Sequence, residues 1–229
     1  MESKNPDVVE LEFSQKYKRK HSENYFLKHR TGPLRKWSHS REEQIAREAL
    51  KLAGNPNSVL DLPCGAGRFW PLLLEQKSRH IIAADYSSDM LDVAQEAHLM
   101  DMDERIQCLQ TSAFSIDLED DVVDSLFCMR LLHHVGKSEN RKVMLNEFHR
   151  VTRDTAIISL WVDGNYKAWR RNKLEKNRER RNGRGSQNRF VVGRQQIETE
   201  FKTAGFDILG HIDFLPFYQM WRTYVLHKR

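Results

Sequence analysis

The chain of 229 residues has no apolar run approaching the length that crosses a bilayer, so no integral membrane segment is expected. Its first residues, MESKNPDVVELEF, lack the basic-then-apolar pattern of an export signal. Cysteine is scarce: Cys64, Cys108 and Cys128 sit in or beside apolar runs without metal-ligand spacing. An odd count with no export signal fits free thiols in a reducing, cytoplasmic setting. The histidines and acids form no ligand constellation either, so no metal is expected. Internal repeats are absent. What remains is an ordinary globular composition, 39% hydrophobic and 30% charged, enough for one sizeable core.

Charge is present but unevenly placed. The chain carries a net +5, and residues 163–195 hold eleven Lys or Arg against three acids. That insert is therefore +8 by itself, and the remainder is −3. A mildly acidic body bearing one basic insert points to an anionic partner at the insert.

Residues 1–57 read as a helical preface and are assigned as an N-terminal lid. Within it, SREEQIAREALKLAG places Ile45, Ala49 and Leu52 at helical spacing, with Ser40 as N-cap, Glu43 three residues on and Gly54 as the stop. From Ser58 to the end, strands and helices alternate. SVLDL, HIIAAD, RIQCLQ, VVDSLFCM and TAIISLWV read as five strands with helices between them. DILGHIDF and MWRTYVLH follow, separated only by LPFYQ, which is too short for a crossover helix and so pairs them antiparallel. The pattern predicts a doubly wound α/β core over 58–229, parallel for at least five strands.

The stretch VLDLPCGAGRFW, Val59 to Trp70, runs a buried strand into a small-residue turn and then a helix. Gly65 and Gly67 allow backbone to approach a ligand, and Asp85 closes the second strand twenty residues after Gly65, where a carboxylate accepts from ribose hydroxyls. A dinucleotide fingerprint requires a third glycine where Trp70 stands, which disfavours a diphosphate. Pro63 gives up one loop N–H, a tolerable loss only if the ligand is not a phosphate.

VLDLPCGAGRF, followed by IIAADYSSDML and LLHHV, resembles the class I S-adenosylmethionine-dependent methyltransferases, and within them the small-molecule-type group whose first motif reads LDxxCGxG. The resemblance covers Ser58 to Val162. It implies a Rossmann-like seven-stranded sheet of order 3-2-1-4-5-7-6 with strand 7 antiparallel and helices on both faces. It implies S-adenosyl-L-methionine as cofactor, with Asp61 anchoring the methionine amino group and Pro63, Cys64, Gly65 and Gly67 passing along it. Asp85 would take the ribose, and Tyr86 and Met90 would pack near the adenine. Ser112, with Ala113 and Phe114, stands where the family often has an acid addressing the adenine; Met129 and Arg130 lead toward the methionine end.

The acceptor side is less legible. His133 and His134 follow the fourth strand, where an imidazole can take a proton or simply start a helix. Cysteine nucleophiles are disfavoured, since none has a partnered base in sequence. Arg30 and Trp37 in the preface, with Tyr25 and His29, form a candidate second lid, and Trp169 and Arg170 in the insert are candidate acceptor contacts. The expected activity is methyl transfer to an anionic small-molecule, glycan or lipid-linked acceptor. An RNA methyltransferase is an alternative, less favoured because MRLL lacks the Asn/Asp-Pro-Pro-aromatic pattern that holds an exocyclic amine. A non-catalytic cofactor-fold subunit binding a partner through the insert is the other.

Overall fold

The computed structural model describes residues 32–98, 103–182 and 188–229. Seven strands form one sheet: β1 (Ser58–Asp61), β2 (His80–Asp85), β3 (Ile106–Gln110), β4 (Val123–Cys128), β5 (Thr152–Trp161), β6 (Phe206–Asp213) and β7 (Trp221–Lys228). Their order is β3-β2-β1-β4-β5-β7-β6, parallel from β3 to β5, with β7 antiparallel to both β5 and β6. This is the order that the resemblance implies.

The two faces follow from strand alternation. Leu60, Leu126, Ala156, Ile158 and Tyr224 point to one side, where Met144, Phe148, Ile197 and Phe201 cover them. Those four come from α4 (Ser138–Val151) and α6 (Arg194–Thr203). Val59, Phe127, Ile157 and Val225 point to the other, beneath residues of α1 (Pro33–Leu52), α2 (Trp70–Leu73) and α3 (Ser88–Ala97). Both faces of the central strands are dry, which is why their sequences read as unbroken apolar runs.

Helix α1 differs from expectation at its start. It begins at Pro33 after Gly32, leaving Ser40 inside the helix rather than capping it. Proline is favourable in a first turn, where its missing N–H has no partner to lose, so the Gly32-Pro33 pair opens this helix instead of breaking it. Its end is as read: Gly54 N–H bonds Lys51 O and Asn55 N–H bonds Leu50 O, the paired closure of a glycine-stopped helix. Ala46, Ala49 and Leu50 are buried in the sheet-facing cluster, so this part of the preface packs on the core.

One buried ion pair ties the acceptor-side turn to the fold. Arg141 of α4 binds Glu200 of α6 through Nε and Nη2, both at 2.7 Å, and its Nη1 donates to the carbonyls of Val135 and Gly136. Burial alone would raise the Glu200 carboxyl, but hydrogen bonds from Arg141 and Ser138 hold it below its usual range. Glu200→Ala should destabilise the protein by about 3–5 kcal/mol in urea unfolding, because a buried guanidinium is left unpaired. The double variant Arg141→Met/Glu200→Leu should recover most of that loss; recovery of none of it would refute the pairing as the cause.

Candidate active site

The carboxyl ends of β1, β2 and β4 meet at the Leu62–Gly67 turn. Four of its N–H donors are already used within the protein. Leu62 N–H bonds Phe127 O, Cys64 N–H bonds Ala84 O, Gly67 N–H bonds Cys64 O, and Gly65 N–H bonds Asp85 Oδ2 at 3.0 Å. A phosphate cradle needs several free N–H groups pointing one way. This turn has none to spare at those four positions. Pro63, joined to Leu62 by a cis peptide, therefore removes a donor the loop does not need.

The two glycines play different parts. Gly65 has φ +55° and nothing within 4 Å of where a Cβ would lie, so its bare face is open to a ligand. At Gly67 a Cβ would sit 2.8 Å from the Trp70 ring. The closeness that Gly67 permits is thus taken by a side chain of this protein, and Trp70 fills the space a diphosphate would need.

Two carboxylates lie under the turn. Asp61, at the end of β1, is buried, and neither of its oxygens has a hydrogen-bond partner. Burial, with the neighbouring charge of Asp85, pushes its carboxyl well above the usual range. The Trp70 indole faces it and pulls the other way, without closing a hydrogen bond. Asp85 accepts from Gly65 N–H on one oxygen and from Ser87 N–H on the other, each at 3.0 Å. Burial raises it to about 6, a rise those hydrogen bonds limit. Each carboxylate oxygen has a second lone pair, so Asp85 can still accept from a diol.

Beside Asp85, Tyr86 is exposed, and Gln110 Nε2 donates to its carbonyl at 3.2 Å, joining the ends of β2 and β3. Met90 is buried in the first turn of α3, capped by Ser87 Oγ. Ser112 Oγ accepts from Phe114 N–H at 3.2 Å and shapes the turn carrying the buried Ala113. Cys64 is buried in the loop, its thiol pushed well up by burial and by the charges of Asp85 and Asp61.

On the β4–β5 side, Arg130 has φ +64° and its N–H donates to Ser159 Oγ at 2.9 Å. Its guanidinium pairs with Glu42 of α1 and lies over the Trp221 ring. Glu42 also meets Arg68 at 2.5 Å, so one carboxylate bridges the β1 turn and the β4 exit. Met129 is buried next to Arg130. The two histidines separate in character. His133 is buried against His134, Trp161 and Trp221, and burial with nearby arginine charge lowers it to about 2. Burial thus favours its neutral ring, packed among the neighbouring aromatic side chains. His134 is part-buried, and its Nδ1–H donates to Asn188 O at 2.6 Å.

The remaining expected contacts are dispersed. Arg30, with Tyr25 and His29, lies outside the described residues. Trp37 is exposed on α1 and meets the Phe214 ring edge-on at 5.7 Å. Trp169 and Arg170 are exposed on α5 (Tyr166–Asn182). The structure adds Glu42, Arg68, Trp70, Gln110 and Ser159 to the site. Arg68 and Trp70 lie in the motif itself and were within reach of inspection. Glu42 carries no local signal, since its partner Arg130 is 88 residues away.

Cys128 is fully buried and burial raises its thiol, while Cys108 is half-buried. A nucleophilic cysteine needs a thiolate. Native protein at neutral pH should therefore show no reaction of Cys64 or Cys128 with a thiol reagent by mass spectrometry. Rapid labelling of either would restore a cysteine mechanism.

Residues 59–155 match the methyltransferase domain family. An uncharacterized methyltransferase-like protein of Schizosaccharomyces pombe is 30% identical over 102 residues, 44% of this chain and 36% of that protein. The chain thus matches little more than a third of the length of its curated relatives. Magnesium protoporphyrin IX methyltransferase from Synechocystis, solved with S-adenosylmethionine bound, superposes with TM-score 0.68 at 12% identity, covering 99% of this chain and 100% of that one. The [4+2]-cyclase SpnF superposes with TM-score 0.61 at 13% identity, covering 81% and 80%. The match to the methyltransferase domain family spans β1 to the start of β5, and the solved structures share the fold of the whole seven-stranded sheet.

Proposed function

We propose that the protein is an S-adenosylmethionine-dependent methyltransferase with an anionic acceptor. The observation that carries the reading is Asp61, a buried carboxylate with both oxygens unbonded at the end of β1, in the motif that also holds the open Gly65. An ionised carboxylate there is costly unless a cation joins it, and no cationic side chain among the described residues does. An amino-acid ammonium would supply that charge. A cyclase on the same fold makes the site's residues, and not the fold, the support for methyl transfer.

S-adenosylmethionine bound at this rim would supply a sulfonium methyl group to an incoming nucleophile. Asp61 would hold the ammonium of its methionine part, and Asp85 would accept from the ribose hydroxyls through the lone pairs left beside Gly65 and Ser87. Tyr86, Ala113 and Phe114 would border the adenine, with the Ser112 turn fixing their placement. Displacement at a methyl carbon gains most from alignment and from exclusion of water. The packed Trp161, His133 and Trp221 rings supply a rigid wall for that purpose.

The acceptor class rests on arginine. Arg171 and Arg189 lie over the Trp161 ring, at 4.9 and 5.9 Å, and Arg130 over Trp221 at 5.2 Å. Glu42 and Glu175 offset two of the three charges, Glu175 through a 2.7 Å ion pair with Arg171. A carboxylate or phosphate on the acceptor completes this set.

Calorimetric titration with S-adenosylmethionine tests the reading. Wild type should bind, and Asp85→Ala should weaken binding roughly a hundredfold by removing a charged acceptor of two hydroxyls. The pH dependence has a fixed sign. Asp85 is raised to about 6 in the empty protein, so it is charged above that pH and protonated below it. Affinity should fall as pH drops, first because Asp61 must give up its proton to meet the ammonium and more steeply below about 6, where Asp85 is protonated as well. Undiminished affinity in Asp85→Ala, or tighter binding in acid, would contradict the assignment.

A further inference from the structure

The face of α5 that points away from the sheet carries an arrangement the methyltransferase site does not use. At 100° per residue, Tyr166, Trp169, Arg170, Lys173 and Leu174 fall within an arc of about 140°, while Ala168 on the opposite side is buried. Tyr166, Trp169 and Leu174 are all exposed. The connection between β6 and β7 adds Tyr218, stacked on Tyr166 at 5.7 Å and 10°, and Phe217, which is 87% exposed. Trp169 and Phe217 flank a cleft of about 470 Å³.

This surface is held firmly. The first N–H groups of α5 have no partners within the helix, and the hairpin connection supplies them: Tyr166 N–H bonds Phe217 O and Lys167 N–H bonds Tyr218 O. Asn165 Oδ1 accepts from Ala168 N–H and caps the same end. Phe217 itself has φ +61°, an unfavourable conformation for a bulky side chain, and its ring packs into nothing that would offset it. The fold gains little from an aromatic ring at that tip.

We propose that this face docks on an anionic phospholipid bilayer. Exposed Trp, Tyr, Phe and Leu interleaved with Lys and Arg match the composition of a peripheral interfacial anchor, and the +8 insert supplies charge complementarity to anionic headgroups. No helix among the described residues is long and apolar enough to cross a membrane, so the attachment is superficial. Single-stranded RNA fits less well because base stacking needs open ring faces. Here Tyr166 and Tyr218 cover one another, Lys167 lies over Tyr218, and Lys173 lies over Trp169. The Phe217 ring, at the tip of the connection, is the most exposed of the rings on this face. α5 leaves the carboxyl end of β5, and the hairpin connection enters β7 at Trp221, the register partner of Trp161. The docking face therefore borders the same rim as the candidate active site.

The inference does not depend on methyl transfer, and it is tested without cofactor. Full-length protein is sedimented with sucrose-loaded vesicles of phosphatidylcholine alone or mixed with phosphatidylglycerol. Partition onto the anionic vesicles should exceed that onto the neutral ones by roughly tenfold or more. The Arg170→Ala/Lys173→Ala variant should lose roughly thirtyfold in partition. Phe217→Asn should weaken partition severalfold while leaving the urea midpoint unchanged or raised, since asparagine tolerates positive φ. Equal partition onto neutral vesicles, or partition indifferent to Phe217→Asn, would overturn the proposal. So would binding of oligouridine RNA without vesicle binding, or a dimer in sedimentation velocity that Phe217→Asn dissolves.

Discussion

A buried carboxylate without a counter-charge governs the arrangement of this rim. Asp61 ends the central strand of a parallel sheet, where side chains on both faces are apolar and no water reaches it. Burial and the charge of Asp85 push its carboxyl well above the usual range. Asp85 lies close enough for its charge to act on Asp61, and its own rise is moderated by backbone donors from Gly65 and Ser87. The two acids thus differ: Asp85 is hydrogen-bonded by the backbone on both oxygens, and Asp61 on neither.

The surrounding loop is shaped by the same demand. Its N–H groups at Leu62, Cys64, Gly65 and Gly67 are spent on backbone carbonyls and on Asp85, so those four positions offer no anion cradle. Trp70 closes the space next to Gly67, and Gly65 leaves its own face open. Across the rim, Glu42 ties Arg68 and Arg130 to α1, so the N-terminal helix belongs to the architecture of the site. Farther along the edge, rings replace carboxylates. His133, Trp161 and Trp221 form a packed wall over which arginines collect.

What the sequence made legible was whatever is local. Asp61, Gly65 and Asp85 sit in short motifs whose geometry follows from strand, turn and strand end, and they occupy the rim as expected. The parallel core and the antiparallel final pair follow from strand–helix alternation and one short last connection, whereas the order of the strands came from the family resemblance. Contacts between distant segments were not legible. The pairing of Glu42 with Arg130 has no sequence signature, and the burial of His133 depends on Trp221 from the last strand. The start of α1 was displaced because the Gly-Pro pair reads as a break unless the helix is known to begin there. The aromatic face of α5 was invisible for a similar reason, since two of its rings arrive from the β6–β7 connection.

The central claim is that a cationic ligand converts Asp61 from its neutral to its charged form. Calorimetric binding of S-adenosylmethionine in buffers of different ionisation heat at neutral pH measures that proton directly. Heats that vary with the buffer, in the sense of proton release on binding and diminished in Asp61→Asn, are the predicted result. Binding whose heat is the same in every buffer, or an Asp61→Asn protein that releases the same proton, would contradict the account.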